Sequence, residues 1–497
     1  MPSRVISQKA AVSVVYAGAM FIAVMDQTIV NVALAAIGRQ FHTSATAVAG
    51  AVIGYQVSVA LFIPAAAWLG DRFGPRQVLL GAIAVFTAAS ALCGLAGSLD
   101  ELVAFRVLQG AGGGLMTPVG LTMLFRAFPQ QERVRASAIL VIPTALAPAV
   151  GPVIGGLFVT DVTWRWVFYV NVPVGLFALV FGALFLADQE HPAAGRFDVP
   201  GFVTSSLGLG LLMYGVAEGP GTGWTAAPIV ACIAAGAALV AAMVVIELRT
   251  PSPLLDLRVY ADRLFRSASV VLTLTSVAFF GLLFLLSLFF QDGLHFSALQ
   301  AGSTICPEAF GVIIASQVIS RRIYPAVGPR RIMVAGLLLI ATVAAFLSTA
   351  GTGTSVWLLR AILFVMGFGV AAVFLPSQAA GFATVGAART SVASTVFNAQ
   401  RMIGGAIGVA LLTAVITALH PVRTVAGHAE ANIHAFHTGL IVCAGVAVAA
   451  ALAALTVSDR DAAPTMIRQR RQPPAVAVVE GEGVLPAEGA PAGSADQ

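Results

Sequence analysis

The chain has 497 residues, of which 58% are hydrophobic and 10% are charged, and its mean hydropathy is +0.92. Soluble globular proteins carry roughly 25% charged residues, so this composition indicates a protein that lies mostly within a lipid bilayer. The net charge of +5 follows from membrane orientation, because the arginines lie mostly on one side of the predicted spans, and it does not indicate nucleic-acid binding.

Fourteen windows of the sequence hold about 20 apolar residues each, which is the length needed to cross the hydrocarbon layer. They run near 11–35, 47–69, 77–97, 102–125, 136–160, 166–187, 199–217, 226–247, 266–290, 298–320, 332–350, 356–380, 392–419 and 436–457. An open sheet exposed to lipid cannot satisfy its backbone hydrogen bonds, so we expect an all-α integral membrane protein with 14 transmembrane helices.

Basic residues fix the predicted orientation. With a cytoplasmic N-terminus, 21 of the 27 Lys and Arg residues fall on cytoplasmic segments, and only Arg39, Arg165 and Arg423 lie outside. The remaining three, Arg106, Arg360 and Arg401, lie within spans. Cytoplasmic loops carry an excess of Lys and Arg, so we expect both termini in the cytoplasm.

The first span carries a carboxylate, Asp26, within the run 25–34. A carboxylate at this depth is costly unless it is protonated or paired. Such a group can load and release protons near neutral pH, and we expect Asp26 to couple protons and to contact substrate. The alternative is a carboxylate held permanently in an ion pair.

The loop between the second and third spans reads Gly70-Asp71-Arg72-Phe73-Gly74-Pro75-Arg76. Its glycines and proline permit a tight reversal of the chain at the membrane surface. A degraded copy recurs at 326–331, about 250 residues later, which indicates a duplicated transporter. The copy lacks the Asp and the first Arg, so we expect gating only from the N-terminal loop, through Gly70, Asp71, Arg72, Gly74 and Arg76.

In the fourth span, Arg106 opens the run 106–114, which also holds Gln109 and several glycines. A buried arginine does not deprotonate, so it needs a carboxylate, a carbonyl group or water nearby. Asp26 is the expected partner of Arg106, and we expect Gln109 to contact substrate. Helix packing alone explains the glycines but not Arg106.

The fifth span carries Gly151-Pro152-Val153-Ile154-Gly155-Gly156. Proline bends a helix, and small residues four apart allow a close helix crossing. Ordinary small-residue packing is the alternative interpretation of Gly151, Pro152, Gly155 and Gly156. An aromatic string at 164–175 follows and enters the sixth span, as is typical of a membrane interface.

In the second half, Arg360 opens the twelfth span as Arg106 opens the fourth, which supports the duplication. Glu308 follows Pro307 in the tenth span and is a second candidate acid for substrate binding. The run 398–408 in the thirteenth span begins at Asn398, a candidate substrate contact, and includes Arg401. Arg401 either snorkels as a packing residue or pairs with an acid in proton coupling.

These ordered motifs resemble those of the major facilitator superfamily, and the runs at 25–34, 164–175 and 398–408 are similar to its fourteen-helix drug:proton antiporter branch, which includes multidrug and quaternary-ammonium exporters. In that branch the first-helix acid stands where Asp26 stands, and the superfamily's fourth-helix arginine, matched by Arg106, is linked to proton transfer. The run 151–156 resembles the motif that distinguishes exporters from importers.

The resemblance implies two six-helix bundles, 11–187 and 265–457, joined by an inserted helix pair within 188–264. Residues 1–10 would form a cytoplasmic N-terminus. Residues 458–497 are rich in Pro, Ala, Gly and Glu, and we expect a disordered cytoplasmic tail. Substrate would bind between the bundles near the middle of the membrane, exposed to each side in turn.

We expect no enzymatic activity and no cofactor. Lys9 is the only lysine, so a Walker A loop is excluded and the chain alone cannot use ATP. The seven histidines lie in loops or at span ends, which argues against a metal site. The energy source would be the proton gradient across the bacterial cytoplasmic (inner) membrane, and we expect a monomer.

Three functions fit these residues. The first is a proton-coupled exporter of lipophilic drugs, with Asp26 and Glu308 favouring cationic or neutral amphiphiles. The second is a dedicated exporter of one endogenous metabolite, such as an antibiotic or siderophore. A membrane sensor that transports nothing is a third possibility, but it would not need buried acids and arginines such as Asp26, Arg106, Glu308 and Arg401.

Overall fold

The computed structural model describes residues 6–43, 45–188, 195–250, 253–419, 422–425 and 428–466. A long helix lies at each predicted window. These helices are α1 (Gln8–Phe41), α2 (Ala45–Phe62), α3 (Pro75–Leu95), α4 (Leu99–Ala127), α5 (Arg133–Asp161), α6 (Asn171–Phe185), α7 (Val199–Thr222), α8 (Ala227–Arg249), α9 (Arg263–Leu288), α10 (Ala298–Val318), α11 (Pro329–Leu347), α12 (Val356–Gly381), α13 (Thr390–Ala418) and α14 (Ile433–Ala454).

Several spans are interrupted by short turns of other helix types. A 3-10 turn, Ile63–Ala65, connects α2 to the short helix Ala66–Phe73. The first four residues of the predicted 70–76 loop are therefore helical, and only Gly74 separates this helix from α3. A single helical turn, Trp166–Tyr169, precedes α6. Single π-helical turns, Phe289–Gly293 and Ile319–Ile323, extend α9 and α10. Such turns change the direction of a helix without exposing its backbone to lipid.

Thirteen helices of the described chain are long and apolar enough to cross a membrane by those criteria alone. The fourteenth, α4, is less apolar because it contains Arg106, Gln109 and several glycines. Its 29 residues nevertheless reach about 43 Å, which exceeds the hydrocarbon thickness. The all-α prediction is confirmed, with one small addition: β1 (Val422–Val425) and β2 (His428–Ala431) form an antiparallel hairpin before α14.

Within each half of the chain, the helices that carry the motifs pack on one another. In the first half α1 packs on α4, α5 and α6, and α2 packs on α4; in the second half α9 packs on α13 and α14, and α10 on α12. The inserted helices α7 and α8 pack on each other, and α7 lies against α2 and α13. The described residues from 6 to 466 lie in one compact unit, so the exact boundaries of the two bundles stay a prediction.

The prediction of a disordered tail over 458–497 is wrong for residues 458–466. This segment packs against Gln130–Glu132 of the first half and against Tyr324–Val327 of the second. Thr465, only 2% exposed, forms a 2.9 Å hydrogen bond with the buried hydroxyl of Tyr324. Asp459 accepts a 2.9 Å hydrogen bond from the backbone N–H of Arg330. These contacts hold residues 458–466 in place, although the residues that follow are rich in Pro, Ala, Gly and Glu. Residues 467–497 lie outside the described residues.

The first helix begins within the predicted N-terminal segment 1–10, whose cytoplasmic location stays a prediction. Helix α1 begins at Gln8, where the hydroxyl of Ser7 accepts a 3.3 Å hydrogen bond from the backbone N–H of Ala10 and caps the first turn. The hydropathy pattern alone does not reveal such a polar first turn, because capping depends on hydrogen bonds and not on apolar residues. Residues 1–5 lie outside the described residues.

Close crossings of glycines hold the second half together. Gly311 of α10 faces the carbonyl group of Phe364, and Gly367 of α12 faces the carbonyl group of Glu308, so a Cβ atom at either glycine would overlap backbone oxygen. Backbones that approach this closely gain van der Waals contact, which drives helix association where no hydrophobic effect operates. The backbone of Glu308 is therefore fixed against α12.

We expect Gly367→Ala to destabilise the folded protein by about 1–3 kcal/mol, because the added methyl group forces α10 and α12 apart. Gly445→Ala in α14 is the matched control, since nothing lies within 4 Å of a Cβ atom there. Thermal unfolding of the purified proteins in detergent, followed by tryptophan fluorescence, measures the difference. Equal unfolding temperatures for both variants would show that the crossing is not close.

Candidate functional site

The predicted pair of Asp26 and Arg106 is present in the structure. Nη1 of Arg106 on α4 lies 2.5 Å from Oδ2 of Asp26 on α1, and both residues are 0% exposed. A buried ion pair is stable only when its geometry is good and further hydrogen bonds satisfy the remaining donors and acceptors. The neighbouring side chains supply those bonds.

Two amides complete the shell of the Asp26 carboxylate. Nε2 of Gln109 donates to Oδ1 of Asp26 over 2.9 Å and to Oγ of Ser90 over 2.7 Å, and Nδ2 of Asn171 donates to the same Oδ1 over 3.2 Å. All three of these polar side chains are fully buried. Four helices, α1, α3, α4 and α6, therefore meet at Asp26. Gln109 thus contacts the acid, and its contact with substrate stays a prediction.

The guanidinium group of Arg106 has further partners of its own. Its Nε donates to the carbonyl group of Ala51 over 3.3 Å, and its Nη1 donates to Oε1 of Gln109 over 2.6 Å. The ring of Tyr55 lies 4.2 Å from its central carbon and forms a cation–π contact. None of these three contacts is made by Asp26 itself, so they are available to hold the cation when the carboxylate is neutral.

The glycines of the fifth-span motif set the distance between α5 and the part of α1 that follows Asp26. A Cβ atom at Gly151 would overlap the hydroxyl of Thr28, and one at Gly155 would overlap the side chain of Ile29. Gly156 faces open space. Helix α5 contains Pro152, but its side chain lies outside the described part of the structure.

The predicted gating loop contacts the second half of the protein. Oδ2 of Asp71 accepts a 2.8 Å hydrogen bond from Oγ of Ser391 on α13, and its Oδ1 lies 3.3 Å from Nη2 of Arg126 on α4. Gly74 has a φ of +86°, a backbone conformation that favours glycine. Asp71 therefore connects the two halves on the side of the membrane that carries this loop.

The other gating residues stay within the first half or at its surface. Arg76 donates to the carbonyl group of Ala183 over 3.0 Å and lies 3.5 Å from the carboxylate of Asp188. Arg72 is exposed and has no ion pair in the described chain. Gly70 faces open space, so close packing does not require a glycine there.

An aromatic cluster supports the contact made by Asp71. Phe125, one residue before Arg126, stacks on Phe382 at a centroid distance of 4.5 Å, and Phe382 packs edge-on against Phe397 at 5.4 Å. All three rings are buried. The sequence alone does not reveal this cluster, because phenylalanines are frequent throughout the apolar spans. The structure is thus closed between the halves on this side.

The candidate residues of the second half do not form a matching cluster. Glu308 is 7% exposed, and its carboxylate has no hydrogen bond or ion pair in the described part of the chain. Asn398 donates to the carbonyl group of Ser394 in its own helix over 2.9 Å. Arg360 donates to Ser303 over 3.2 Å, so it does not repeat the pairing of Arg106.

Arg401 has no acidic partner within 4 Å among the described residues, so the predicted pairing of this arginine is absent in this conformation. It is partly buried and interacts electrostatically with Tyr16 on α1. The hydroxyl of Tyr16 donates to the carbonyl group of Thr117 over 2.8 Å. Arg401 thus lies near the first half with no acidic partner among the described residues.

Comparison with known proteins identifies the family. A family model described as Major Facilitator Superfamily matches residues 16–409. The chain belongs to the major facilitator superfamily. A relative named multidrug resistance protein B homolog, from Mycobacterium tuberculosis, is 34% identical over 409 residues, or 79% of this chain and 73% of the relative. The tetracenomycin C resistance and export protein of Streptomyces glaucescens is 33% identical over 401 residues, or 80% and 73% of the two chains.

Solved structures agree with this assignment at the level of the fold. The crystal structure of the human organic anion transporter MFSD10 aligns with a TM-score of 0.64 at 16% identity, covering 90% of this chain and 99% of that one. The protein is therefore a multi-pass membrane transporter of the major facilitator superfamily and not an enzyme. Relatives named for multidrug resistance agree with the drug:proton antiporter branch.

Removing both charges of the buried pair should cost less than the two single losses added together. We expect Arg106→Gln and Asp26→Asn each to destabilise the protein by about 3–5 kcal/mol. Arg106→Gln leaves the buried carboxylate of Asp26 unpaired, and Asp26→Asn leaves the buried guanidinium group of Arg106 unpaired. The double variant should be less destabilised than the sum of the two. Thermal unfolding of the four proteins in detergent measures this coupling, and additive losses would show that the pair is not formed.

Loss of the Asp71 carboxylate should affect the rate of transport and not the affinity for substrate. Asp71→Asn removes the ion pair with Arg126 and weakens the bond from Ser391, so the closed state becomes less stable. We expect turnover to collapse while the dissociation constant for a fluorescent amphiphile changes by only a few-fold. Asp188→Asn is the control, because exposed Asp188 pairs only within the first half. The reverse pattern would contradict a gating role.

Proposed function

We propose that this transporter exports lipophilic amphiphiles, cationic or neutral, in exchange for protons. It would work in the bacterial cytoplasmic membrane with both termini in the cytoplasm. The observation that carries the proposal is the fully buried Asp26, held by one permanent cation and two amides at membrane depth. An ionisable residue buried within the membrane is by default a candidate functional residue, because its protonation changes a buried charge.

The geometry supports a simple coupling scheme. When a proton binds Asp26, the acid loses its charge and its attraction to Arg106 weakens. Gln109, the Ala51 carbonyl group and the Tyr55 ring then retain the arginine. When the proton leaves, the ion pair forms again. The two protonation states therefore favour two arrangements of α1 against α4, which is what an exchanger driven by a proton gradient requires.

Alternating access follows from the contacts between the halves. The structure is closed where Asp71 meets Ser391 and where Phe125 stacks on Phe382. A transporter of this fold alternates between two states, each of which closes one side of the membrane and exposes the central site to the other side. With the cytoplasmic orientation of the 70–76 loop, inferred from its arginines, the closed side faces the cytoplasm.

Glu308 supports a preference for cationic substrates. Its carboxylate is nearly buried and has no ion-pair partner within 4 Å in the described chain. A lipophilic cation would supply the missing charge in surroundings that screen it far less than water does. The names of the two relatives, one for multidrug resistance and one for resistance to and export of a single compound, support both a broad exporter and a dedicated one.

Transport by proteoliposomes with an imposed pH gradient tests the proposal. The wild-type protein should move lipophilic cations such as quaternary ammonium compounds against their gradient, and Asp26→Asn should not. Glu308→Gln should reduce transport of cations by tenfold or more, about 1.4 kcal/mol, while sparing uncharged drugs. Glu218→Gln in the inserted helix α7 is the matched control. Full pH-driven transport by Asp26→Asn would disprove the coupling role, and transport of one host metabolite alone would favour the dedicated exporter.

A further inference from the structure

A cavity of about 310 Å³ opens at the ends of three helices in the second half of the protein. Arg263 at the start of α9 and Arg330 at the start of α11 line it, together with residues 455–460 that follow α14. It lies apart from the Asp26 cluster and from the gating loop. The transport scheme gives this cavity no role.

Positive charge dominates the lining. Arg263, Arg330 and Arg460 face one acid, Asp459, whose carboxylate accepts a bond from the backbone N–H of Arg330 and lies 3.7 Å from Nε of the same residue. Arg263 and Arg460 are exposed and have no ion pair in the described chain. The planar guanidinium group binds phosphate oxygens in pairs. The cavity therefore suits an anion that carries a phosphate group.

An apolar surface leads directly to these arginines. Helix α14 and its last turn expose Ile441, Val448, Leu452 and Leu455. Their spacing of seven, four and three residues puts them on one face of the helix. Leu455 also lines the cavity, so the apolar face ends where the arginines begin. A ligand with a charged phosphate at one end and a hydrocarbon chain at the other matches both parts.

We propose that this cavity binds the headgroup of an anionic phospholipid, with its phosphate between Arg263 and Arg460 and an acyl chain along the exposed face of α14. The predicted orientation places the cavity at the cytoplasmic surface, within reach of membrane lipid. Basic pockets between transmembrane helices on this side bind anionic headgroups. The bound lipid would tie α9 and α11 to the segment 455–460.

Native mass spectrometry of the purified full-length protein, titrated with phosphatidylglycerol, measures the binding. Phosphatidylcholine with the same acyl chains tests the need for net negative charge, and inorganic phosphate tests a soluble source of the same group. We expect Arg263→Gln/Arg460→Gln to weaken phosphatidylglycerol binding by roughly tenfold or more. The control Arg321→Gln/Arg322→Gln, which removes two exposed arginines outside the cavity, should change it by less than about threefold.

Two further variants keep the test decisive if the double variant folds poorly. Thr456→Glu adds a negative charge to the cavity without removing an arginine, and it should also weaken phosphatidylglycerol binding. Leu452→Gln interrupts the apolar face, and it should weaken binding of the lipid but not of phosphate.

Equal losses in the cavity variants and the control would overturn the site. Competition by inorganic phosphate, with no effect of Leu452→Gln, would assign the cavity to a soluble phosphate compound and overturn the lipid.

Discussion

The interaction on which the rest of the structure depends is the buried ion pair between Asp26 and Arg106. A guanidinium group does not lose its proton in a protein, so its burial requires a compensating shell. Side chains or backbone from α1, α2, α3, α4 and α6 supply that shell, either directly or through Gln109. The permanent charge of Arg106 therefore fixes the relative positions of five of the first six helices.

Helix α4 connects this pair to the contact between the halves. Arg106 and Arg126 lie on the same helix, about 30 Å apart along its axis. The first pairs with the buried acid, and the second lies beside Asp71, which in turn accepts a bond from Ser391 of the second half. A movement of α4 that follows protonation of Asp26 would therefore alter the gate. The Asp26–Arg106 pair and the Asp71–Arg126 pair both act on α4. This helix therefore gives a physical route by which protonation can be coupled to opening of the gate.

The sequence predicts the contacts that follow from the energetic cost of burying a charge. It does not predict the contacts that neutral side chains make with residues far away in the chain. A buried acid and a buried arginine require each other, so the pairing of Asp26 with Arg106 was predictable. Ser90 and Asn171 are neutral, and neutral polar residues occur in many spans without a function. Ser391 lies 320 residues from Asp71, so no sequence pattern joins them. Composition averaged over 458–497 hides the packed segment 458–466, whose contacts come from distant residues. The acidic partner expected for Arg401 is absent among the described residues in this conformation.

The central claim is that Asp26 is the group that exchanges protons when substrate binds. Proton release from purified protein in weakly buffered detergent, followed with a pH-sensitive dye after addition of a transported cation, tests it directly. The account predicts release from the wild-type protein and from the surface control Asp188→Asn, and none from Asp26→Asn. Undiminished release from Asp26→Asn, in a variant that still binds the cation, would contradict the account.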